Sequence, residues 1–118
     1  RYVGDWTGTY ACAGIDGAQD GPQGPFIMPV TLVVKASQQA SLERTTKGGG
    51  SESLEGTVGE MVKLGGQGQN SPDDTWRTYF EGAVKGTTLK AQGAIRTLVP
   101  EDHLLRKCEL NLNQGTGK

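Results

Sequence analysis

Gly4-Asp5-Trp6-Thr7-Gly8-Thr9-Tyr10-Ala11-Cys12 and Leu104-Leu105-Arg106-Lys107-Cys108-Glu109-Leu110-Asn111-Leu112 decide how this chain is read. Both are short alternating runs, and together they hold both cysteines of the chain. Alternation with a period of two marks a strand that buries one face. With Cys12 set opposite Cys108 in antiparallel register, Tyr10 falls opposite Leu110, Gly8 opposite Leu112 and Trp6 opposite Gln114. The pairs Cys12–Cys108, Tyr10–Leu110 and Gly8–Leu112 share one face, so the register agrees with itself. We therefore expect the first and last strands of one sheet to lie side by side, tied by a Cys12–Cys108 disulfide. Closing a loop of nearly a hundred residues stabilises a fold by about 4–5 kcal/mol on the chain-entropy model.

Between these ends the chain reads as strands and turns. Gly14 to Pro25 is turn chemistry throughout and predicts a long loop. Phe26-Ile27-Met28 follows, either anchoring that loop in the core or forming an exposed apolar tip. Val30–Lys35 and Ser41–Thr46 read as strands, with a turn at Lys47-Gly48-Gly49-Gly50. One long strand is expected over 52–64, with Leu54, Val58, Val62 and Leu64 on one parity. A second Gly-rich loop is expected over 65–74. Trp76, Thr78, Phe80, Gly82 and Val84 alternate with outward polar residues, and Leu89, Ala91, Gly93 and Ile95 do the same after a turn at 85–88. Leu98 to His103 leads into the closing strand. No window repeats apolar residues at helical spacing with caps. The expectation is an all-β single domain over 1–118: an antiparallel up-and-down barrel of seven or eight strands, whose adjacent ends remove the free edges.

Glycine makes up 19 of 118 residues without a G-X-Y period, which excludes collagen and suits many tight turns. The formal net charge is −1, with Lys and Arg scattered, so the basic stripe that nucleic-acid binding needs is missing. No run reaches the ~20 apolar residues of a membrane-spanning helix. A disulfide implies an oxidising compartment, so a secreted or periplasmic protein is expected. Arg at position 1 fits a mature chain whose signal peptide has been removed, or a trimmed one.

Gly4-Asp5-Trp6 at the start of the first strand resembles the G-x-W signature of lipocalins and related calycin-type barrels, and of secreted bacterial protease inhibitors with a similar barrel. The resemblance implies a Trp plugging the closed end of the barrel. The Arg that packs on that Trp in these families has no counterpart in Arg106, because the register puts Gln114 opposite Trp6. Tyr10-Ala11-Cys12 with Cys108 is similar, more loosely, to periplasmic lysozyme inhibitors. Their Ser-Gly-containing inhibitory loop has no clear match; Gly66 to Asp73 is of suitable length and different sequence.

Chemistry-bearing residues are few. His103 is the only histidine, and no nucleophile–base arrangement is visible, so no catalytic residues are assigned. One His and two distant Cys fall short of a zinc set, the Asp pairs match no calcium loop, and no cofactor is implied. Glu60 and Arg106 each share the parity of their neighbours' apolar residues. Either both point inward and pair or bind something charged, or Gly59 turns Glu60 outward while Arg106 reaches water at the rim. Glu60, Arg106 and Trp6 are the candidate ligand residues, and Phe26, Ile27 and Met28 the candidate partner anchor. The expected function is a non-enzymatic binding module that engages a protein through loops 14–29 and 65–75, an inhibitor among the options. The alternatives are a carrier of a small ligand in the barrel mouth and, last, an enzyme.

Overall fold

A computed structural model describes residues 1–97 and 103–115. Eight antiparallel strands run in up-and-down order: β1 (Gly4–Cys12), β2 (Phe26–Val34), β3 (Gln39–Thr45), β4 (Ser51–Val58), β5 (Met61–Ser71), β6 (Asp74–Lys85), β7 (Thr88–Thr97) and β8 (His103–Gln114). They close into a barrel, each paired with its sequence neighbour and β1 paired with β8. The β1–β8 register runs from Trp6↔Gln114 through Tyr10↔Leu110 to Cys12↔Cys108, and the two sulfurs are bonded. The only helical turn among the described residues is a short 3₁₀ segment, Ile15–Gly17, in the loop after β1.

The inner residues of each strand meet along the barrel axis. Trp6, Tyr10, Phe80, Leu32, Leu42, Leu54, Leu64, Leu89, Leu110 and Leu112 are all fully buried, so the interior is filled by side chains. The turns are tight. In the β3–β4 turn Gly49 sits at φ +85°, a region other residues seldom occupy.

Two stretches depart from the sequence reading. The single strand expected over 52–64 is a hairpin, β4 and β5, which turns at Gly59-Glu60. Parity misled here: three residues separate the paired positions Val58 and Val62, an odd number, so both lie on the same parity, both are buried, and the inward pattern runs on unbroken. The loop expected over 65–74 is mostly the second half of β5. Gly65, Gly66 and Gly68 lie within the ladder, paired with Glu55, Leu54 and Glu52, and only residues 72 and 73 turn. The expected approach to β8 from Leu98 lies outside the described residues until His103.

Up-and-down order divides the barrel into two ends. The Trp6 end carries the start of β1 and the β2–β3, β4–β5 and β6–β7 turns. Trp6 is fully buried there; its Nε1 donates to the Tyr2 carbonyl at 2.8 Å, and Gln114 ties down the carbonyls of Arg1 and Val3. The loop end carries residues 13–25, the β3–β4 and β5–β6 turns, the end of β7 and the start of β8.

Candidate functional site

Toward the loop end the apolar core gives way to a buried polar cluster centred on Glu52 of β4. Glu52 shares parity with Leu54 and Val58 and therefore points inward. Its Oε1 accepts from Tyr10 Oη of β1 at 2.8 Å and from Arg44 Nε of β3 at 2.8 Å. Its Oε2 accepts from Trp76 Nε1 at 2.7 Å and from Thr78 Oγ1 at 2.6 Å, both on β6. Two donors on each oxygen satisfy a buried carboxylate that would otherwise be very costly. Among the described residues no buried side-chain polar atom lacks a partner.

These partners are placed by close packing. A Cβ on Gly68 would lie 2.3 Å from the Trp76 indole, so the ring lies flat over a glycine and its N–H reaches Glu52. The Arg44 guanidinium stacks over Tyr10, 4.4 Å from the ring centroid, and over Phe26 at 5.1 Å. Burial alone would raise the Glu52 pKa. The Arg44 charge and the hydrogen bonds from Thr78, Arg44 and Trp76 outweigh it and hold the carboxyl below its ordinary value. Burial, with the Glu52 charge beside it, pushes the Tyr10 phenol well above its ordinary value.

Arg106 points inward, but without the inward Glu60 that the first sequence reading set beside it. It is buried, donates from Nη1 to the Gly24 carbonyl at 3.0 Å and sits 5.2 Å over the Phe26 ring. This contact fastens the loop after β1 across the end of the barrel. Burial and the Arg44 charge lower its pKa. Phe26 thus carries a cation from each of two strands.

Glu60 does not join it. It occupies the β4–β5 turn at the Trp6 end, exposed to water, because Gly59 and Glu60 make a hairpin turn and not a bulge within one strand. Trp6 is buried at that end too, so the three candidate ligand residues are not brought together. Phe26, Ile27 and Met28 belong to β2 and split by parity: Phe26 and Met28 pack inward, while Ile27 is 68% exposed. The acid that faces the interior is Glu52 in place of Glu60. Its signal was in the sequence, since Glu52 and Arg44 sit two residues from Leu54 and Leu42 with the same parity.

The barrel wall is not evenly closed. β2 and β3 pair only from Leu32↔Leu42 to Val34↔Ala40, whereas β1–β2 pairing covers all of β2. Lys35 N–H bonds the Gln39 carbonyl, so the odd-numbered residues of β2 address β3, and in phase Thr31 would meet Glu43 and Pro29 would meet Thr45. The ladder ends before Thr31, and Pro29, with no N–H to give, could not donate a bond to carry it further. A cleft of about 820 Å³ lies along this seam, lined among others by Met28, Val30, Thr31, Glu43, Arg44 and Ser53.

No family model matches this chain, and searches of curated proteins and of solved structures returned no match either, so the likeness to lipocalins rests on barrel shape and the Gly4-Asp5-Trp6 motif alone.

Proposed function

We propose that this chain is a non-enzymatic binding module of an extracytoplasmic compartment that engages a protein partner with its loop end. The observation that supports this most is the filled interior. The axis holds packed aromatic and aliphatic side chains, and the one buried carboxylate among the described residues, Glu52, spends all its capacity on four internal donors. Such a core leaves the carrier reading little lumen and leaves Glu52 no capacity for proton transfer. Binding then falls to the outside of a rigid barrel, where loops carry recognition. The loop over 13–25 is anchored by the Arg106–Gly24 bond, and exposed Ile27 stands beside it as an apolar contact. The Cys12–Cys108 disulfide suits an oxidising compartment.

The test is site-specific photo-crosslinking in the native source. A crosslinking residue in place of Ile27 should give a discrete adduct with a partner protein. The same residue in place of Met61, which is 65% exposed at the Trp6 end, should give none. Adducts at neither position, or equally at both, would overturn the reading.

A further inference from the structure

Among the described residues, the loop-end interior holds two buried guanidinium groups, Arg44 and Arg106, against one buried carboxylate, Glu52. Both guanidinium groups lie close to the Phe26 ring, Arg44 at 5.1 Å and Arg106 at 5.2 Å from its centroid, and each lies within reach of the other's field. Among the described residues no carboxylate lies within ion-pair distance of Arg106, and the Arg44–Glu52 bridge uses only Nε of Arg44. The outer nitrogens of Arg44 are weakly employed. Nη2 faces the Tyr10 hydroxyl at 3.5 Å, and Nη1 faces the Met28 sulfur at 3.8 Å. A thioether is a poor acceptor for a guanidinium N–H, and a carboxylate oxygen is a strong one.

Access comes from the β2–β3 seam. Arg44 and Met28 both line the cleft there, so a ligand in the cleft meets Nη1 where the sulfur now stands. Glu43 stands exposed on the outer lip of the same cleft and repels multiply charged anions. We infer that the β2–β3 cleft is a binding site for a singly charged carboxylate, which pairs with Arg44 in the field of Arg106.

The group has two sources, a free monocarboxylic acid or an acidic side chain of a protein partner. The free-acid arm stands whether or not the chain binds a protein; the side-chain arm rests on the function proposed above. The test is an NMR titration of the intact, disulfide-bonded protein with acetate, propionate, a capped Gly-Glu-Gly peptide, phosphate and chloride. Its probes are Arg44 Nε–H and Trp76 Nε1–H, with Trp6 Nε1–H as the internal reference. Saturable shifts at Arg44 and Trp76 with the carboxylates, and at least about tenfold weaker effects of phosphate and chloride, are expected. Saturation by acetate and propionate assigns the site to free acids, and saturation by the peptide alone assigns it to a partner's side chain. Shifts linear in concentration and equal for chloride, or no shift with any carboxylate, would overturn the site.

Two variants keep the test independent of folding. Arg106→Gln should weaken carboxylate binding roughly tenfold, the share of one buried charge. Thr45→Trp, at the lip of the cleft, should abolish it with the melting temperature unchanged. Unchanged affinity in both variants would overturn the assignment.

Discussion

Tyr10 Oη donates to Glu52 Oε1 at 2.8 Å, joining β1 to β4 across the barrel interior, 42 residues apart in sequence. Neither strand pairs with the other, so the bond crosses the lumen instead of running along the wall. With Arg44 of β3 and with Trp76 and Thr78 of β6, the same carboxylate gathers four strands. Its removal should be felt by all of them.

Glu52→Gln should destabilise the fold by about 3–5 kcal/mol, because it leaves the buried Arg44 cation without its counter-charge and turns an acceptor into a donor facing donors. Total stability for a domain of this size is of the order of 5–15 kcal/mol, so the loss is a large fraction of it. Urea denaturation of the two proteins measures the difference.

Acid should unfold the protein through the same residue. Glu52 has a lower pKa folded than unfolded, so the folded state binds fewer protons there as pH falls. Its contribution is fully present above the unfolded value of about 4.3 and is lost as pH drops through the folded value. Denaturation midpoints should therefore fall below about pH 4 in the wild type and respond less in Glu52→Gln.

Gly68 and Gly65, three residues apart on β5, should answer differently to alanine. A Cβ on Gly68 meets the Trp76 ring at 2.3 Å, whereas on Gly65 its nearest neighbour is Tyr79 at 3.6 Å, an ordinary contact. Gly68→Ala should cost about 1–3 kcal/mol and shift the Trp76 Nε1–H resonance as the indole leaves Glu52. Gly65→Ala should leave that resonance in place.

Pro29→Val should let β2 and β3 zip further. The new N–H would face the Thr45 carbonyl in the existing phase, adding one ladder bond worth about 0.5–1.5 kcal/mol. Slower hydrogen exchange at residue 29, together with weaker carboxylate binding as the cleft narrows, would register it.

Removing the bridge with Cys12→Ala and Cys108→Ala should lower stability by up to about 4–5 kcal/mol, since the bond closes a span of 96 residues. Thiol titration of the untreated wild type should find no free sulfhydryl.

Much of this architecture was legible in the residues themselves. The two cysteine-bearing runs carried enough alternation to define the β1–β8 register down to Trp6 opposite Gln114, because a one-residue slip would turn every buried side chain outward. Trp76, Thr78 and Phe80 declared their inward face in the same way. Alternation is silent about where a strand reverses when an odd number of residues separates the paired positions, as between Val58 and Val62, so β4 and β5 read as one, and Gly-rich pairing within β5 read as a loop.

The polar cluster was decided only by the closed barrel. Parity alone aims Arg44, Glu52, Tyr10 and Trp76 inward, but whether four strands bring them to one depth depends on the stagger of the whole sheet. That stagger set Glu52 among four donors and left Glu60 in water at the other end. It also left β2 and β3 unpaired beyond Leu32↔Leu42, beside Arg44, on a stretch where Pro29 has no N–H to extend the ladder.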